Sequence, residues 1–449
     1  MTRIEPGIFK AYDIRGLYPE QLHAEVARRV GRALVEYLGA RKIAVGRDCR
    51  LSSPELAAAF IEGARSEGCA VVDIGVVGTD MLYDYVARHD LDGGAIVTAS
   101  HNPRQWNGLK LVRRGALALS GDAGIKEIRE WLGEGRFADT PPATGGLEAV
   151  TTREDYARHC LSFVDANAIP PLKVVLDTAN GMGAIGAAAI FDRLPVDTVR
   201  MYFELDGTFP NHPADPLLEE NRRDIVERVL SEKADLGIAW DGDADRCFFI
   251  DDTGSYVPGD FVTALLGEAF AYTEPGARII YDVRASRAVP DRVRSAGGVP
   301  LMNRVGHAFI KKRMRDEDAV FGGEVSGHFY FRDNWFVDNG MIPALLVLER
   351  LGREGKRLSE LVAPLRDRYH ISGEINSPVA DVERTLARIK EHHRDGRIGT
   401  LDGISVDYDE WHFNVRPSNT EPLLRLNLEA GSREAMEKHR DKVLALIRS

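Results

Sequence analysis

Three carboxylates at alternate positions, Asp241, Asp243 and Asp245, share a loop with one glycine, Asp241-Gly242-Asp243-Ala244-Asp245-Arg246. The loop follows an apolar run, Leu236-Gly237-Ile238-Ala239-Trp240, that reads as a buried strand. Oxygen ligands converging at a strand's end suit a hard divalent cation, magnesium best. Calcium in an EF-hand is the rival, but that loop needs Gly at its sixth position and Glu at its twelfth, where this chain has Arg246 and Asp252. A solvated acidic turn is the plain alternative for the string taken alone.

A second reactive string, Thr98-Ala99-Ser100-His101-Asn102-Pro103, follows the run Gly94-Ala95-Ile96-Val97. It puts a serine hydroxyl at a strand's C-terminal edge, where open α/β folds bind ligands. Activating that hydroxyl takes a base or a metal. His101 is adjacent, although neighbouring side chains on extended backbone point to opposite faces. No G-x-S-x-G elbow surrounds Ser100, which disfavours a hydrolase triad.

Arg416-Pro417-Ser418-Asn419-Thr420-Glu421-Pro422, with Arg425 beyond it, combines a guanidinium fork with hydroxyl and amide donors on a constrained turn. That is a receptor for a phosphate dianion, with an ordinary Asx or Ser/Thr turn as the alternative. Gly323-Glu324-Val325-Ser326-Gly327-His328 offers groups able to hydrogen-bond sugar hydroxyls, or a structural turn. Gly181-Met182-Gly183-Ala184-Ile185-Gly186 matches the dinucleotide fingerprint, follows the strand-like run Lys173 to Asp177 and precedes Glu204 and Asp206. An NAD-dependent enzyme is therefore a competing reading at this point, whereas no Walker-type phosphate loop occurs.

The elements that must position these loops alternate. Strand-like runs at Lys42 to Asp48, Ala70 to Gly75, Gly94 to Ala99, Lys173 to Asp177, Asp235 to Trp240, Arg278 to Val283 and Ala319 to Gly322 are separated by amphipathic stretches. This rhythm predicts βαβ units with buried, mostly parallel strands. A Gly/Pro/Thr/Ala-rich stretch from Gly133 to Gly146 reads as a linker, Asp251-Asp252-Thr253-Gly254 as a turn leaving a strand, and Tyr369 to Glu374 as a third break. The remainder has strand-like Ile404 to Tyr408, Trp411 to Val415 and Leu423 to Leu428, with helical Val382 to His392 and Arg433 to Arg448. The expected fold is α/β: three consecutive α/β domains (1–146, 147–253, 254–368) with mixed, mostly parallel sheets, plus a C-terminal α+β domain (369–449), around a central cleft.

At 449 residues the chain exceeds one hydrophobic core, and 44% hydrophobic with 28% charged residues is an ordinary globular balance. A net charge of -11 argues against a nucleic-acid partner. Four scattered cysteines give no disulfide framework or zinc motif and fit a reducing cytoplasm. No signal-like or membrane-spanning apolar run is present in the sequence, so no membrane partner is expected.

With Phe9-Lys10-Ala11-Tyr12-Asp13-Ile14-Arg15-Gly16, Gly46-Arg47-Asp48, Asn107-Gly108-Leu109-Lys110, Phe209-Pro210-Asn211 and Val305-Gly306-His307-Ala308-Phe309, these loops form an ordered set over nearly the whole chain. The set resembles the α-D-phosphohexomutase superfamily, in which the stretch at Asp177 to Gly181 binds no dinucleotide. Gly-Glu-Val-Ser-Gly-His is similar to the sugar loop of the phosphomannomutase/phosphoglucomutase branch, whereas glucosamine-phosphate mutases usually have Gln where Val325 stands. Gly78-Thr79-Asp80-Met81 departs from the common Pro-Thr-Pro and is similar to the Gly-Thr-Glu of phosphomannomutases that feed GDP-mannose synthesis.

The resemblance implies transfer of a phosphoryl group between O1 and O6 of mannose or glucose through a phosphoserine at Ser100 and a hexose 1,6-bisphosphate, which also serves as activator. It implies one Mg2+ per chain, held by Asp241, Asp243, Asp245 and an oxygen on Ser100. Phosphoserine and three carboxylates outweigh one dication, so Arg15, Lys110, Arg246 and Arg284 are expected to supply further positive charge. Lys110, His307 and His328 are the proton-transfer candidates, and His101 has a structural, electrostatic or base role. Glu324 and Ser326 are expected to hold ring hydroxyls, with Arg416, Ser418, Asn419, Thr420 and Arg425 on the non-reacting phosphate. A cytoplasmic monomer or homodimer acting on small hexose phosphates is the expectation. A phosphoglucosamine mutase, a serine- and magnesium-dependent sugar phosphatase and an inactive sugar-phosphate binding protein are the alternatives.

Overall fold

The computed structural model describes residues 4–121, 123–417 and 423–449. They fall into two compact units, Met1–Tyr256 with Ser326–Leu358, and Val257–Val325 with Ser359–Ser449. Among the described residues no helix is long and apolar enough to cross a membrane.

In the first unit, one sheet runs in the order Ile14–Leu17, Trp106–Arg113, Gly93–Val97, Lys42–Arg47, Ala70–Val76, Leu147–Ala149. The strands from Gly93–Val97 through Leu147–Ala149 pair in parallel, as the buried apolar runs predict. Trp106–Arg113 pairs antiparallel with both its neighbours. Only eight residues, 98–105, separate it from Gly93–Val97, too few for the dozen or so of a parallel crossover. The second sheet repeats this logic. Asp197–Met201, Lys173–Asp177 and Leu236–Trp240 are parallel neighbours, and six residues, 241–246, return the chain antiparallel as Cys247–Asp251. Both reactive loops are thus short returns at the end of a buried strand. The sheets are mixed because of them.

Side chains alternating off these strands meet the helices Ala24–Leu38 and Ser53–Ser66 in a core that includes Val45, Val97, Leu109, Leu111 and Phe60, all fully buried or nearly so.

In the second unit, Val299–Asn303, Arg278–Asp282 and Phe321–Gly323 form parallel pairs. Its C-terminal part is an antiparallel sheet, with Leu423–Ala430 flanked by Trp411–Pro417 and Ile375–Pro378. Val382–His392 and Arg433–Arg448 are helices with the bounds expected from periodicity, and Asp381 and Ser432 cap them by accepting from Arg384 and Ala435 amides. Phe413, Val415, Leu424, Leu426 and Val443 build the core between sheet and helices.

Candidate active site

The Ser100 loop and the three-aspartate loop interlock. Ser100 Oγ donates to Asp241 Oδ2 at 2.8 Å. A Cβ added at Gly242 would overlap the Ser100 carbonyl, so glycine is required for the loops to approach this closely. Gly108 has the same kind of role: its Cβ would sit 2.7 Å from the carbonyls of both Ile14 and Thr98.

Ser100 has φ +51, a left-handed conformation that costs a non-glycine residue roughly 1–2 kcal/mol. Its amide donates to Thr98 Oγ1 at 2.9 Å. Because the backbone here is not extended, adjacency does not part Ser100 from His101: Oγ lies 3.2 Å from His101 Nδ1. Burial, then Arg246, Arg15 and Lys110, push the His101 imidazole well below its ordinary value, so it is neutral near pH 7.

Asp241, Asp243 and Asp245 are 0%, 0% and 2% exposed, and one oxygen from each lies within 4.8 Å of the others. Asp243 Oδ2 accepts from Lys110 Nζ at 2.6 Å and from Thr79 Oγ1 at 2.5 Å. Its Oδ1 is buried with no hydrogen-bond partner among the described residues. A buried carboxylate oxygen in that state is a ready ligand for a cation. Lys110 Nζ also reaches Asp245 Oδ2 at 2.5 Å. Burial alone would raise Asp245, but Lys110, His328 and Arg246 outweigh it and hold this carboxyl well below its usual range. Asp241 goes the other way: burial, then Asp245 and Asp243, raise it well above. Ionised together, the three carboxylates carry one more charge than Lys110 and Arg246 offset, which with burial is what holds Asp241 up; a divalent cation among them would stabilise all three as carboxylates. The donor set therefore fits Mg2+.

Arg246 donates from its amide to Asp241 Oδ1 at 3.2 Å and from Nε to His328 Nε2 at 3.3 Å. His328 Nδ1 lies 3.1 Å from Ser326 Oγ. Arg15 bonds Asn102 and, at 2.5 Å, Asp13. Ser100, His101, Lys110, Arg15, Arg246 and His328 are thus all brought to the aspartate loop or to the serine loop it touches.

The second unit carries the remaining candidates. Arg284 makes a two-point pair with Asp282, Nε–Oδ1 at 3.0 Å and Nη2–Oδ2 at 2.9 Å, and lies 3.8 Å from Glu324 Oε1. Glu324 also accepts from the Gly306 amide at 3.0 Å, and His307 Nδ1 is 3.5 Å from Lys311 Nζ. Arg416 and Arg425 sit directly opposite each other on neighbouring strands. Ser418, Asn419 and Thr420 lie outside the described residues.

Two residues that position the serine and aspartate loops are not among the site residues expected from sequence, although Thr79 stands in the Gly78-Thr79-Asp80-Met81 motif. Arg50, its side chain 0% exposed, donates to the carbonyls of Ser100, Asn102, Pro103 and Trp106 at 2.6 to 3.1 Å and pairs with Asp48. It scaffolds the serine loop. Thr79 fixes Asp243 through both its hydroxyl and its amide. Only an arginine and a threonine at strand exits mark them, and neither has a periodic signal. The dinucleotide-like turn is also accounted for, since the Met182 amide that would face a pyrophosphate donates to the Gly242 carbonyl at 3.0 Å.

Family models of phosphoglucomutase/phosphomannomutase match the chain in order: alpha/beta/alpha domain I at residues 6–138, domain II at 154–254, domain III at 258–369 and the C-terminal domain at 374–446. The chain belongs to the phosphoglucomutase/phosphomannomutase family. Relatives in that family include a phosphomannomutase of Escherichia coli, 43% identical over 450 residues (98% of this chain, 99% of the relative). A protein of Xanthomonas campestris pv. campestris named among the phosphohexose mutases is 42% identical over 443 residues, again covering 98% and 99%. The crystal structure of a phosphoglucomutase/phosphomannomutase family protein from Burkholderia thailandensis matches with a TM-score of 0.90 at 33% identity, covering 99% of this chain and 97% of that one.

Proposed function

We propose that this protein is a phosphomannomutase that interconverts mannose 6-phosphate and mannose 1-phosphate, and acts also on the glucose phosphates, through a phosphoserine at Ser100. The observation that carries the reading is the 2.8 Å contact of Ser100 Oγ with Asp241, one of a trio of buried aspartates in which Asp243 keeps an oxygen with no hydrogen-bond partner among the described residues. Full-length relatives named phosphomannomutase support the choice of sugar.

Phosphoryl transfer depends on positioning and charge stabilisation. In the first transfer the bond between Ser100 Oγ and phosphorus breaks, a bond from phosphorus to the sugar hydroxyl forms, and that hydroxyl's proton passes to His307 or His328; Lys110, kept an ammonium by Asp243 and Asp245, is left with the electrostatic part of the role expected of it. The 1,6-bisphosphate so formed turns over, and its other phosphoryl group returns to Ser100. Arg15, Lys110, Arg246 and Arg284 offset the anionic charge, with His101 neutral beside the serine. Glu324 and Ser326 take ring hydroxyls, while Arg416, Arg425 and the Ser418 to Thr420 segment take the non-reacting phosphate. Asp241, Asp243, Asp245 and an oxygen on Ser100 would hold one Mg2+, which would supply Lewis-acid stabilisation of the transferring group. Added hexose 1,6-bisphosphate acts as activator by restoring the phosphoserine. The four modules run 1–146, 147–253, 254–368 and 369–449, and the enzyme works as a cytoplasmic monomer or homodimer without nucleic acid or membrane.

The deciding assay compares mannose 1-phosphate, glucose 1-phosphate and glucosamine 1-phosphate with Mg2+ and a trace of hexose 1,6-bisphosphate. Isomerisation of the mannose and glucose esters is expected. It should fall by at least several orders of magnitude in Ser100→Ala. Preference for the amino sugar, or phosphate release without isomer, would replace this reading with the glucosamine mutase or the phosphatase.

A further inference from the structure

Register places Arg416 directly across from Arg425, two guanidinium groups side by side on adjacent strands, an arrangement that is repulsive unless an anion lies between them. A resident anion is there. Glu374 stands just after Gly373, whose φ of +67 turns the chain into the strand Ile375–Pro378. Its Oε1 lies 2.9 Å from Arg425 Nη1, and its Oε2 lies 3.6 Å from Arg416 Nη2 and 3.4 Å from Arg284 Nη1. Both carboxylate oxygens are used, and the side chain is only 16% exposed.

Nε of Arg416 and Nε of Arg425 are buried with no hydrogen-bond partner among the described residues, so Glu374 satisfies the cluster only in part. Arg284 is already paired with Asp282. Three guanidinium groups therefore face Asp282, Glu324 and Glu374, and among the described groups this cluster is close to neutral. A phosphate dianion entering a neutral cluster gains little unless one carboxylate leaves. Glu374 is the one with no backbone amide holding it among the described residues, whereas Asp282 accepts from the Arg284 and Val325 amides and Glu324 from that of Gly306. Taking up a proton does not relieve it, because Arg284, Arg416 and Arg425 outweigh burial and hold its carboxyl below the usual range.

We infer that Glu374 is an internal competitor for the anion receptor, occupying its guanidinium groups until the substrate's phosphate displaces it and so limiting how tightly phosphate is gripped. The inference rests on the proposed role of Arg416 and Arg425 as that receptor. It also gives a reason for a weak grip: the bisphosphate must leave this receptor, turn and rebind within each cycle, and a carboxylate ready to return lowers the barrier to leaving.

The test is Glu374→Gln, which keeps the shape and removes the charge. Calorimetric titration with inorganic phosphate is expected to give a Kd about tenfold lower than in the parent protein. KM for mannose 1-phosphate should fall in parallel while kcat falls or stays level, a split that a merely structural residue would not produce. Glu374→Asp, which keeps the charge, should restore both values to near those of the parent. An unchanged or weaker phosphate affinity in the Gln variant overturns the inference, as does a matching gain in the Asp variant. If the Gln variant does not fold, Glu374→Ala is titrated instead, with the same two outcomes. Because the titration needs no turnover, a parent protein that binds phosphate but isomerises no hexose phosphate would sink the proposed function and leave this inference standing. A parent and variant that both fail to bind phosphate would sink both.

Discussion

Ser100 and Asp241, 141 positions apart in sequence, meet at 2.8 Å because each ends a buried strand and begins a short antiparallel return. The proposed nucleophile and the proposed metal site are therefore one structure, and changes to either loop should be read out in both.

Lys110 stands between Asp243 and Asp245, its ammonium held well above its ordinary value by those two carboxylates although burial opposes it. Removing one partner of a buried ion pair costs about 3–5 kcal/mol, since the other charge is left uncompensated. Lys110→Ala should melt well below the parent protein in EDTA. Saturating Mg2+ should raise its Tm by more than it raises the parent's, which differential scanning fluorimetry can check. Equal shifts would mean that the cation does not reach these carboxylates.

Thr79 donates to the same Asp243 oxygen that Lys110 does, which leaves Oδ1 as the oxygen with no hydrogen-bond partner among the described residues and the one open to a cation. Loss of an outer hydrogen bond of this kind lowers metal affinity about 10- to 100-fold. Thr79→Val is expected to need that much more Mg2+ for half-maximal activity, with kcat at saturation little changed.

Arg50 gathers four carbonyls of the serine loop with a guanidinium that no solvent reaches. In Arg50→Ala those carbonyls lose their donors and Asp48 loses its partner. Displacement of the nucleophile by even about 1 Å costs ~100-fold in rate. The expected result is a kcat lowered by about that factor or more, together with a lower Tm.

His212 Nε2 lies 3.0 Å from Asp177 Oδ2, and Nδ1 lies 2.9 Å from the Pro213 carbonyl. Burial would lower this imidazole's pKa, but the Asp177 hydrogen bond and charge outweigh it, so the folded value stands above 6.5. A histidine raised in the folded state contributes stability that is complete below the unfolded value and is lost as pH rises through the folded one. The Tm gap between the parent protein and His212→Gln should thus be widest below the unfolded value of about 6.5 and narrow as pH rises above it. A gap that widens with pH would contradict the pairing.

Much of this arrangement is legible in the chain. The helices Val382–His392 and Arg433–Arg448 announce themselves by period and cap, and the apolar runs before Ser100 and Asp241 mark buried strands. What sequence hides is local geometry and burial. The left-handed φ of Ser100 turns His101 toward the serine, where extended backbone would have turned it away. The antiparallel returns follow from loop length, which alternation of apolar runs does not convey. Arg50, Thr79 and Glu374 are ordinary polar letters whose meaning depends on having no water around them and specific partners within reach.

The six-residue return from Trp240 to Cys247 has a final consequence. Trp240 and Cys247 face each other as the last pair of their ladder, so an insertion or deletion of one residue between them would invert alternate side chains along the loop or slip the strand register. Length joins the three aspartates and Gly242 among the properties this loop cannot vary: homologous chains that change its residue count should have lost divalent-cation binding along with phosphoryl transfer.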